Sequence, residues 1–389
     1  MKAIKSRGTI LLAAGGTGGH VYPASALAGA LKADGYDVHL ATDKRGLAFV
    51  EKIETMRTHK LAAATIFGQS LIALPMRLLT LLYSMVQAFI LIVRLRPVII
   101  GGFGGYPSFT PIMMGLLLRQ KIFVHEQNAV MGRVNRLAAW LGAHVATSFG
   151  DTLHVPQNAQ YRLCKTGNPL RPQVLAAARG GYRFIAPNRP LDVLIYGGSQ
   201  GATIFDQIVP PALNLLDDGL KRRLRVVQQV RRNNISKLLR DYSDMGVYVE
   251  LRDFFDDLPS RMRRAHLIIC RGGAATISEL AALGAPAIIV PFAGSLDQDQ
   301  ARNAKQLYAN GGCIVIAQDQ LNVETLAKKL ADLLTYNEKL RTISANALGF
   351  AELNATEKLM RYVLCLAENR KIDIEHPFER EQEKQEVAQ

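Results

Sequence analysis

Residues 9–20 read TILLAAGGTGGH. A short apolar run bounded by glycine marks a strand buried on both faces, the kind found in parallel sheets. After the loop Gly15-Gly16-Thr17-Gly18-Gly19, residues 21–33 carry apolar residues at helical spacing and residues 37–41 return to strand. Strand, glycine loop, helix, strand opens a doubly wound α/β unit. The same opening recurs at residues 191–201, LDVLIYGGSQG, followed by a helical stretch at residues 202–216. The two loops, Gly-Gly-Thr-Gly-Gly and Gly-Gly-Ser-Gln-Gly, match in position and type.

Other short apolar strands are expected at residues 98–100, 121–124 and 144–146, then at 225–227, 266–270, 287–291 and 313–316. Between the halves, Gly167-Asn168-Pro169-Leu170-Arg171-Pro172 reads as a stiff hinge. The expected fold class is α/β: two doubly wound Rossmann-like domains facing across a cleft, with ligands at the carboxyl ends of the strands. The first domain takes residues 1–170 and the second residues 171–351, with a last helix at about residues 352–369. Residues 370–389 are charged, contain several glutamines and lack periodicity, so disorder is expected there.

A chain of 389 residues, 49% of them hydrophobic, can build two cores. Its net charge of +14 attracts anions: nucleic acid, anionic lipid or phosphorylated substrates. The basic clusters are Arg222, Arg223 and Arg225; Arg231 and Arg232; and Arg261, Arg263 and Arg264. No aromatic interleaving accompanies them, so no nucleic-acid partner is expected and a membrane or phosphate ranks higher. Cys164, Cys270, Cys313 and Cys365 lie far apart without a CxxC pair, which reads as reduced thiols of a cytosolic protein, with neither zinc nor disulfides. The basic N-terminus leads into an apolar run of only residues 10–14, a core strand and not a signal peptide.

A glycine loop that opens a helix offers backbone N–H groups and the positive end of the helix dipole to a phosphate. Thr17 and Ser199 add hydroxyl donors. Neither loop is a P-loop, since no Lys-Ser or Lys-Thr follows, and the third glycine of a dinucleotide fingerprint is replaced by Val21. Asp43, at the end of the second strand, keeps a nicotinamide dehydrogenase as a rival. Gly101-Gly102-Phe103-Gly104-Gly105-Tyr106-Pro107-Ser108 either admits a ligand close to the backbone or is a strand-to-helix turn. His125-Glu126-Gln127-Asn128 follows a buried strand and points at the cleft. His20 either serves the fold or stands where a phosphate or an acceptor hydroxyl would sit.

In the second half, Arg271-Gly272-Gly273-Ala274-Ala275-Thr276-Ile277-Ser278-Glu279 follows a strand. Glu279 can accept both hydroxyls of a ribose, or can complement the helix dipole. Asp297-Gln298-Asp299-Gln300, then Asn303, starts a helix and reads as hydrogen-bonding groups for a sugar more than as a metal site. From Leu78 to Val93 there is no charge, and Arg77, Arg94 and Arg96 flank the run. It is short against the ~20 residues of a transmembrane helix. Thr80, Ser84 and Gln87 share one helical face and the rest is apolar. Such a helix either docks in the plane of an anionic membrane surface or is buried on several sides.

In this order the motifs at residues 15–20 with Pro23, 103–108, 125–128, 167–171, 197–202, 271–279 and 297–304 resemble the MurG family of bacterial glycosyltransferases. The likeness runs to about residue 370. It implies the GT-B fold, with the last helix packing back on the first domain. It implies inverting transfer of N-acetylglucosamine from UDP-GlcNAc to the C4 hydroxyl of undecaprenyl-pyrophosphoryl-MurNAc-pentapeptide, a step of peptidoglycan synthesis, without a required cofactor or metal. The enzyme would be cytoplasmic, peripheral on the inner membrane. By position, Thr17, Gly18, Gly19 and Asn128 approach the donor from the first domain, and Arg171 and Ser199 meet its diphosphate. Ala274, Ala275, Thr276, Ile277, Ser278 and Glu279 support the nucleotide, with Glu279 on the ribose. Phe255 lies where a backbone amide reads uracil, and Gln300 binds the GlcNAc hydroxyls. Gly104, Gly105, Tyr106 and His125 face the undecaprenyl-linked acceptor. Family members often carry serine in place of Gly272, and commonly His-Gln-Thr-Gly where this chain reads Gln228-Gln229-Val230-Arg231.

The reaction needs a general base for the acceptor hydroxyl. His20 and Glu126 are the candidates, with His20 preferred for its place by the glycine loop and its pKa range. Arg171, Ser199 and the helix N-termini would stabilise the leaving group. The alternatives are a UDP-GlcNAc epimerase of the same fold and a non-catalytic nucleotide-sugar-binding protein.

Overall fold

The computed structural model describes residues 7–50, 56–63, 74–179, 189–198 and 202–370. Ser199, Gln200, Gly201 and the expected disordered tail from residue 371 lie outside them. The chain divides into two compact units, Met1–Arg171 with Asn354–Gln389, and Pro172–Leu353.

The first unit is built on β1 (Thr9–Ala13), β2 (Asp37–Thr42), β3 (Arg57–Lys60), β4 (Ile99–Gly102), β5 (Ile122–Glu126), β6 (His144–Thr147) and β7 (Leu163–Lys165). They form one sheet in the order β3-β2-β1-β4-β5-β6-β7, and all pairings are parallel. The apolar run of β1 is central, with Ile10 in register with Val38 on one side and Ile99 on the other. Ile10, Leu11 and Leu12 are wholly buried, as a strand covered on both faces requires. On one face Leu12 packs with Val21, Leu27 and Leu31 of the helix Gly18–Ala33. On the other, Leu11 packs with Ala88, Leu91 and Ile92 of the helix Leu74–Leu95.

The helix Ala355–Ala367 belongs to this unit and lies against Gly18–Ala33. Leu359, Tyr362, Val363 and Leu366 enter the same core as Leu12. The Tyr362 hydroxyl donates to the carbonyl of Arg162 at 2.9 Å, and Lys121 Nζ donates to the carbonyl of Ala367. Burying four such side chains stabilises the helix by at least about 6 kcal/mol at ~1.5–3 kcal/mol each.

The second unit is built on β8 (Leu191–Tyr196), β9 (Leu224–Gln229), β10 (Tyr248–Arg252), β11 (Leu267–Cys270), β12 (Ala287–Ile289) and β13 (Ile314–Val315). The order is β10-β9-β8-β11-β12-β13, again parallel throughout. Both units are therefore doubly wound α/β folds.

The helix Leu74–Leu95 is turned inside out for a helix in water. Ser84 is buried and bonded to Thr110 at 2.8 Å, while Gln87 Oε1 accepts from the backbone N–H of Ala62 at 2.9 Å. Leu79, Leu82, Tyr83, Val86 and Ile90 are all more than half exposed, at 62%, 59%, 60%, 55% and 58%. A water-facing helix buries its apolar stripe and exposes its polar one; this helix buries an apolar edge and the polar groups, and leaves a second apolar face outward. Arg94 and Arg96 at its C-terminal end are exposed.

Candidate functional site

In each sheet the chain winds one way from its first strand and then the other. The reversal falls between β1 and β4 in the first unit and between β8 and β11 in the second. Ligands of open α/β sheets bind outside the carboxyl ends of the strands at such points. The residues singled out in the sequence cluster there.

In the first unit the loop after β1 is braced by Asp43, whose Oδ1 accepts from the N–H of Gly16 at 3.1 Å and of Gly46 at 2.9 Å. Asp43 is buried. The acid that kept a nicotinamide cofactor open as a rival thus holds the loop's shape. Thr17 precedes the helix Gly18–Ala33 without capping it, and the first turn contains no acid. The helix start therefore has neither a side-chain cap from Thr17 nor an acid of its own first turn.

The loop after β4 passes across this one. Gly105 has φ +77°, and a Cβ there would lie 2.7 Å from the carbonyl oxygen of Gly15. Cβ atoms on Gly104 and Gly105 would stand 3.2 Å from His20 Cε1 and 3.4 Å from His20 Cδ2. The imidazole of His20 therefore occupies a groove that exists because these two residues lack side chains. Tyr106 begins the next helix and is half-buried.

Beyond β5, His20 Nδ1 meets Gln127 Oε1 at 3.0 Å, and Gln127 Nε2 donates to His125 Nδ1 at 2.9 Å and to the carbonyl of His125 at 3.0 Å. His125 Nε2 donates to the carbonyl of Gly167 at 2.9 Å. His125 is fully buried, and desolvation lowers its pKa to about 4 against the opposing pull of the Gly167 carbonyl. With no exposed surface, His125 turns its ring nitrogens to Gly167 and to Gln127.

Glu126 is 2% exposed. Its Oε1 accepts from the N–H of Asn128 at 3.0 Å and from Asn128 Nδ2 at 3.3 Å. Its Oε2 accepts from the N–H of Gly132 and from Asn135 Nδ2, both at 2.9 Å. Burial raises its pKa, opposed by these donors and by His20. Both oxygens are occupied in shaping the loop that carries Gln127 and Asn128. Arg171, the last residue of the unit's first segment, lies over the ring of Tyr22 at 4.8 Å.

In the second unit the N–H of Gly197 donates to Gln229 Oε1 at 3.1 Å, and Gln229 Nε2 donates to the carbonyl of Asp253 at 3.1 Å. Ser199 lies outside the described residues. Gln228 is buried, accepting from the Tyr242 hydroxyl at 2.6 Å and donating to Asp206 at 3.0 Å. The departure from His-Gln-Thr-Gly thus leaves a satisfied network, with Gln229 holding the glycine loop.

After β11, Arg271 donates to the carbonyl of Val290 at 3.0 Å and to Gln318 Oε1 at 2.8 Å, flanked by the rings of Phe205 and Phe292. The helix Ala274–Leu283 starts at Gly273 with no side-chain cap and no acid in its first turn, so Ala274, Ala275 and Thr276 present the N-terminal end. Ile277 is buried, the Ser278 hydroxyl returns to the carbonyl of Ala274 at 3.0 Å, and Glu279 is 6% exposed. Gln300 Oε1 accepts from the N–H of Phe292 at 3.0 Å and of Gly272 at 3.3 Å. Asn303 Nδ2 donates to the carbonyl of Gly272 at 3.2 Å. A Cβ on Gly272 would lie 2.5 Å from the carbonyl oxygen of Gln300, so the close backbone approach here suits glycine. Phe255 stands apart on the loop after β10, buried under the guanidinium of Arg261 at 4.7 Å. Among the described residues no group of three or more His, Cys, Asp and Glu side chains is placed to hold a metal.

Sequence reasoning left Gln127, Asn135 and Gln229 without individual roles. Gln127 was visible inside the His-Glu-Gln-Asn run; the other two carry no local signal.

The N-terminal domain of glycosyltransferase family 28 matches residues 10–147, and its C-terminal domain matches residues 192–359. The UDP-N-acetylglucosamine–N-acetylmuramyl-(pentapeptide) pyrophosphoryl-undecaprenol N-acetylglucosamine transferase of Bartonella tribocorum is 46% identical over 84% of both chains. The protein of the same name from Rhizobium etli is 41% identical over 93% of this chain and 96% of its own. The crystal structure of Acinetobacter baumannii MurG superposes with a TM-score of 0.72 at 26% identity, covering 92% of this chain and 99% of that one. The chain therefore belongs to glycosyltransferase family 28, among its MurG-type N-acetylglucosamine transferases.

Proposed function

We propose that this enzyme transfers N-acetylglucosamine from UDP-GlcNAc to the C4 hydroxyl of undecaprenyl-pyrophosphoryl-MurNAc-pentapeptide, with inversion, at the cytoplasmic face of the inner membrane. The observation that carries this reading is the helix Leu74–Leu95 in the same unit as His20. A substrate tethered to lipid needs a site on a unit that rests at the bilayer, and the outward apolar face supplies the contact. Its half-immersed side chains contribute several kcal/mol together, at ~25 cal/mol per Å² of apolar surface. Arg77, Arg94 and Arg96 add about 1 kcal/mol each toward anionic headgroups. The helix crosses over between β3 and β4 of one sheet and packs on the helix Tyr106–Leu117, an arrangement suited to lying in the interface.

His20 is the base. It takes the acceptor proton while the acceptor oxygen attacks the anomeric carbon and the bond to UDP breaks with its electron pair. His20 is preferred to Glu126 because both Glu126 oxygens already accept from Asn128, Gly132 and Asn135. In the first unit Thr17, Gly18, Gly19, Gly104, Gly105, Tyr106 and Asn128 line the substrate-binding surface beside His20, and Arg171 of the same unit reaches toward phosphate. In the second unit Glu279 takes the ribose, the uncapped N-terminus at Ala274 takes the diphosphate with Ser199, and Gln300 offers its NH2 to the GlcNAc hydroxyls. Phe255 borders the uracil. No cofactor or metal is required.

The test is UDP release from UDP-GlcNAc with and without a lipid-pyrophosphoryl-MurNAc-peptide. Acceptor-dependent release with a disaccharide product is expected. Conversion to another hexosamine without acceptor, or binding without turnover, would overturn the reading.

A further inference from the structure

Four groups in the first unit form one directional hydrogen-bond chain, and its direction is forced from the far end. The carbonyl of Gly167 can only accept, so His125 Nε2, 2.9 Å away, carries the hydrogen. His125 is fully buried, and the desolvation that depresses its pKa to about 4 keeps it neutral near pH 7. A neutral ring protonated at Nε2 has a bare Nδ1, which must receive a hydrogen bond. The group 2.9 Å from it is Gln127 Nε2, which also donates to the carbonyl of His125 at 3.0 Å. That fixes the amide: NH2 toward His125, oxygen toward His20. The amide oxygen can only accept, so His20 Nδ1, 3.0 Å from it, carries its hydrogen. Nε2 of neutral His20 is then bare, and no described residue is bonded to it.

We propose that Gln127 is a positioning residue which, through His125 and the carbonyl of Gly167, fixes His20 as its Nδ1–H tautomer and leaves Nε2 to take the proton of the acceptor hydroxyl. This rests on the reading of His20 as the base. When Nε2 gains the proton, Nδ1–H already points at an acceptor, so nothing in the chain has to rearrange. A carbonyl, unlike a carboxylate, orients the ring without adding a charge to it. The carboxylate near His20 is Glu126, and its oxygens are held by Asn128, Gly132 and Asn135. The nitrogen that carries the proton in a histidine is set by the bond made by the other one.

The direct measurement is the tautomer of His20 by ¹⁵N-edited NMR of the full-length enzyme labelled at histidine, with His20→Ala identifying its resonance. Nδ1–H in the wild type is expected; Nε2–H there would overturn the proposal with no variant needed. Gln127→Leu should release the ring to Nε2–H and lower kcat by about 10²-fold or more, as a wrong tautomer does elsewhere, with the KM for UDP-GlcNAc little changed. Gln127→Glu still accepts from Nδ1–H of His20 but no longer donates to His125, so it should keep the tautomer of His20, recover part of the rate lost in Gln127→Leu, and move the acid limb of the kcat/KM profile to higher pH. Gln127→Leu with the Nδ1–H tautomer and near-wild-type kcat would refute the relay even if His20→Ala is inactive. A fully active His20→Ala would instead refute the base assignment on which the relay depends.

Discussion

Acidification should weaken the first unit by about 3 kcal/mol through one residue, His125. The side chain is wholly buried, and its pKa falls to about 4 in the folded protein, chiefly by desolvation. In the unfolded chain a histidine titrates near ~6.5. Between those values the unfolded state binds more protons, so stability falls as the pH falls and is level above and below that window. A window of about 2.5 pH units at ~1.36 kcal/mol each gives about 3 kcal/mol. The assay is urea unfolding at a series of pH values from 7.5 to 4, followed by tryptophan fluorescence. Trp140, the only tryptophan, lies in the same unit as His125, so the signal reports that unit alone. The comparison is His125→Gln. At neutral pH this variant should be ~1–3 kcal/mol less stable, because the Gly167 carbonyl and the Gln127 amide lose their partner. Its pH dependence should be shallower, so that the two stabilities converge by about 3 kcal/mol across the window. Carboxylates and the other histidines titrate in both proteins and cancel. Parallel curves would refute the reasoning, since they would mean that His125 exchanges its proton as freely folded as unfolded.

Three other outcomes follow from particular contacts. Gly105→Ala places a Cβ 2.7 Å from the Gly15 carbonyl oxygen at φ +77°, at a cost of about 1–3 kcal/mol. It should lower kcat more than it lowers the melting temperature, read by turnover and calorimetry on the same preparation. Replacing Leu82 and Ile90 by Glu should leave thermal stability within ~0.5 kcal/mol, as for exposed sites, while abolishing sedimentation with anionic phospholipid vesicles; retained binding would move the membrane contact elsewhere. Gly272→Ser presses on the Gln300 carbonyl oxygen at 2.5 Å, so the start of the helix Asp299–Ala309 must shift. The KM for UDP-GlcNAc should rise several-fold, measured by initial rates at saturating acceptor.

The central strands were legible because burial on both faces leaves a continuous apolar run, as in β1, β4, β5, β8 and β11. The strands that sequence reasoning missed are β3, β7 and β10, each at the edge of its sheet. β3 reads Arg-Thr-His-Lys and is mostly exposed, and β10 is nowhere fully buried. An edge strand has one neighbour and little apolar demand, so only its backbone pairing defines it, and composition does not report that. The uncharged run at residues 78–93 was readable as a helix with apolar surface to spare. Which face it buries was not readable, because Ser84 and Gln87 look like a solvent stripe until Thr110 and Ala62 are found bonded to them.

Much the same limit applies within the site. The glycine loops, His20 and the His-Glu-Gln-Asn run announce themselves by residue type and by their place after buried strands. Nothing in that run says that three of its members, His125, Glu126 and Gln127, are buried. Alternation along β5 would send His125 and Glu126 to opposite faces, yet both are buried, one facing Gly167 and the other the turn into the helix Arg133–Trp140. Gln127 is the first residue past the strand, and it inherits its orientation from the neighbour it bonds back to. Its partner His20 is 107 positions away, in the first turn of a helix whose preceding loop is held by Asp43 and approached by Gly105. A sequence motif names the residues that chemistry needs. In the proposed relay the tautomer of His20 is set by a carbonyl at Gly167, and a backbone carbonyl has no letter in the sequence.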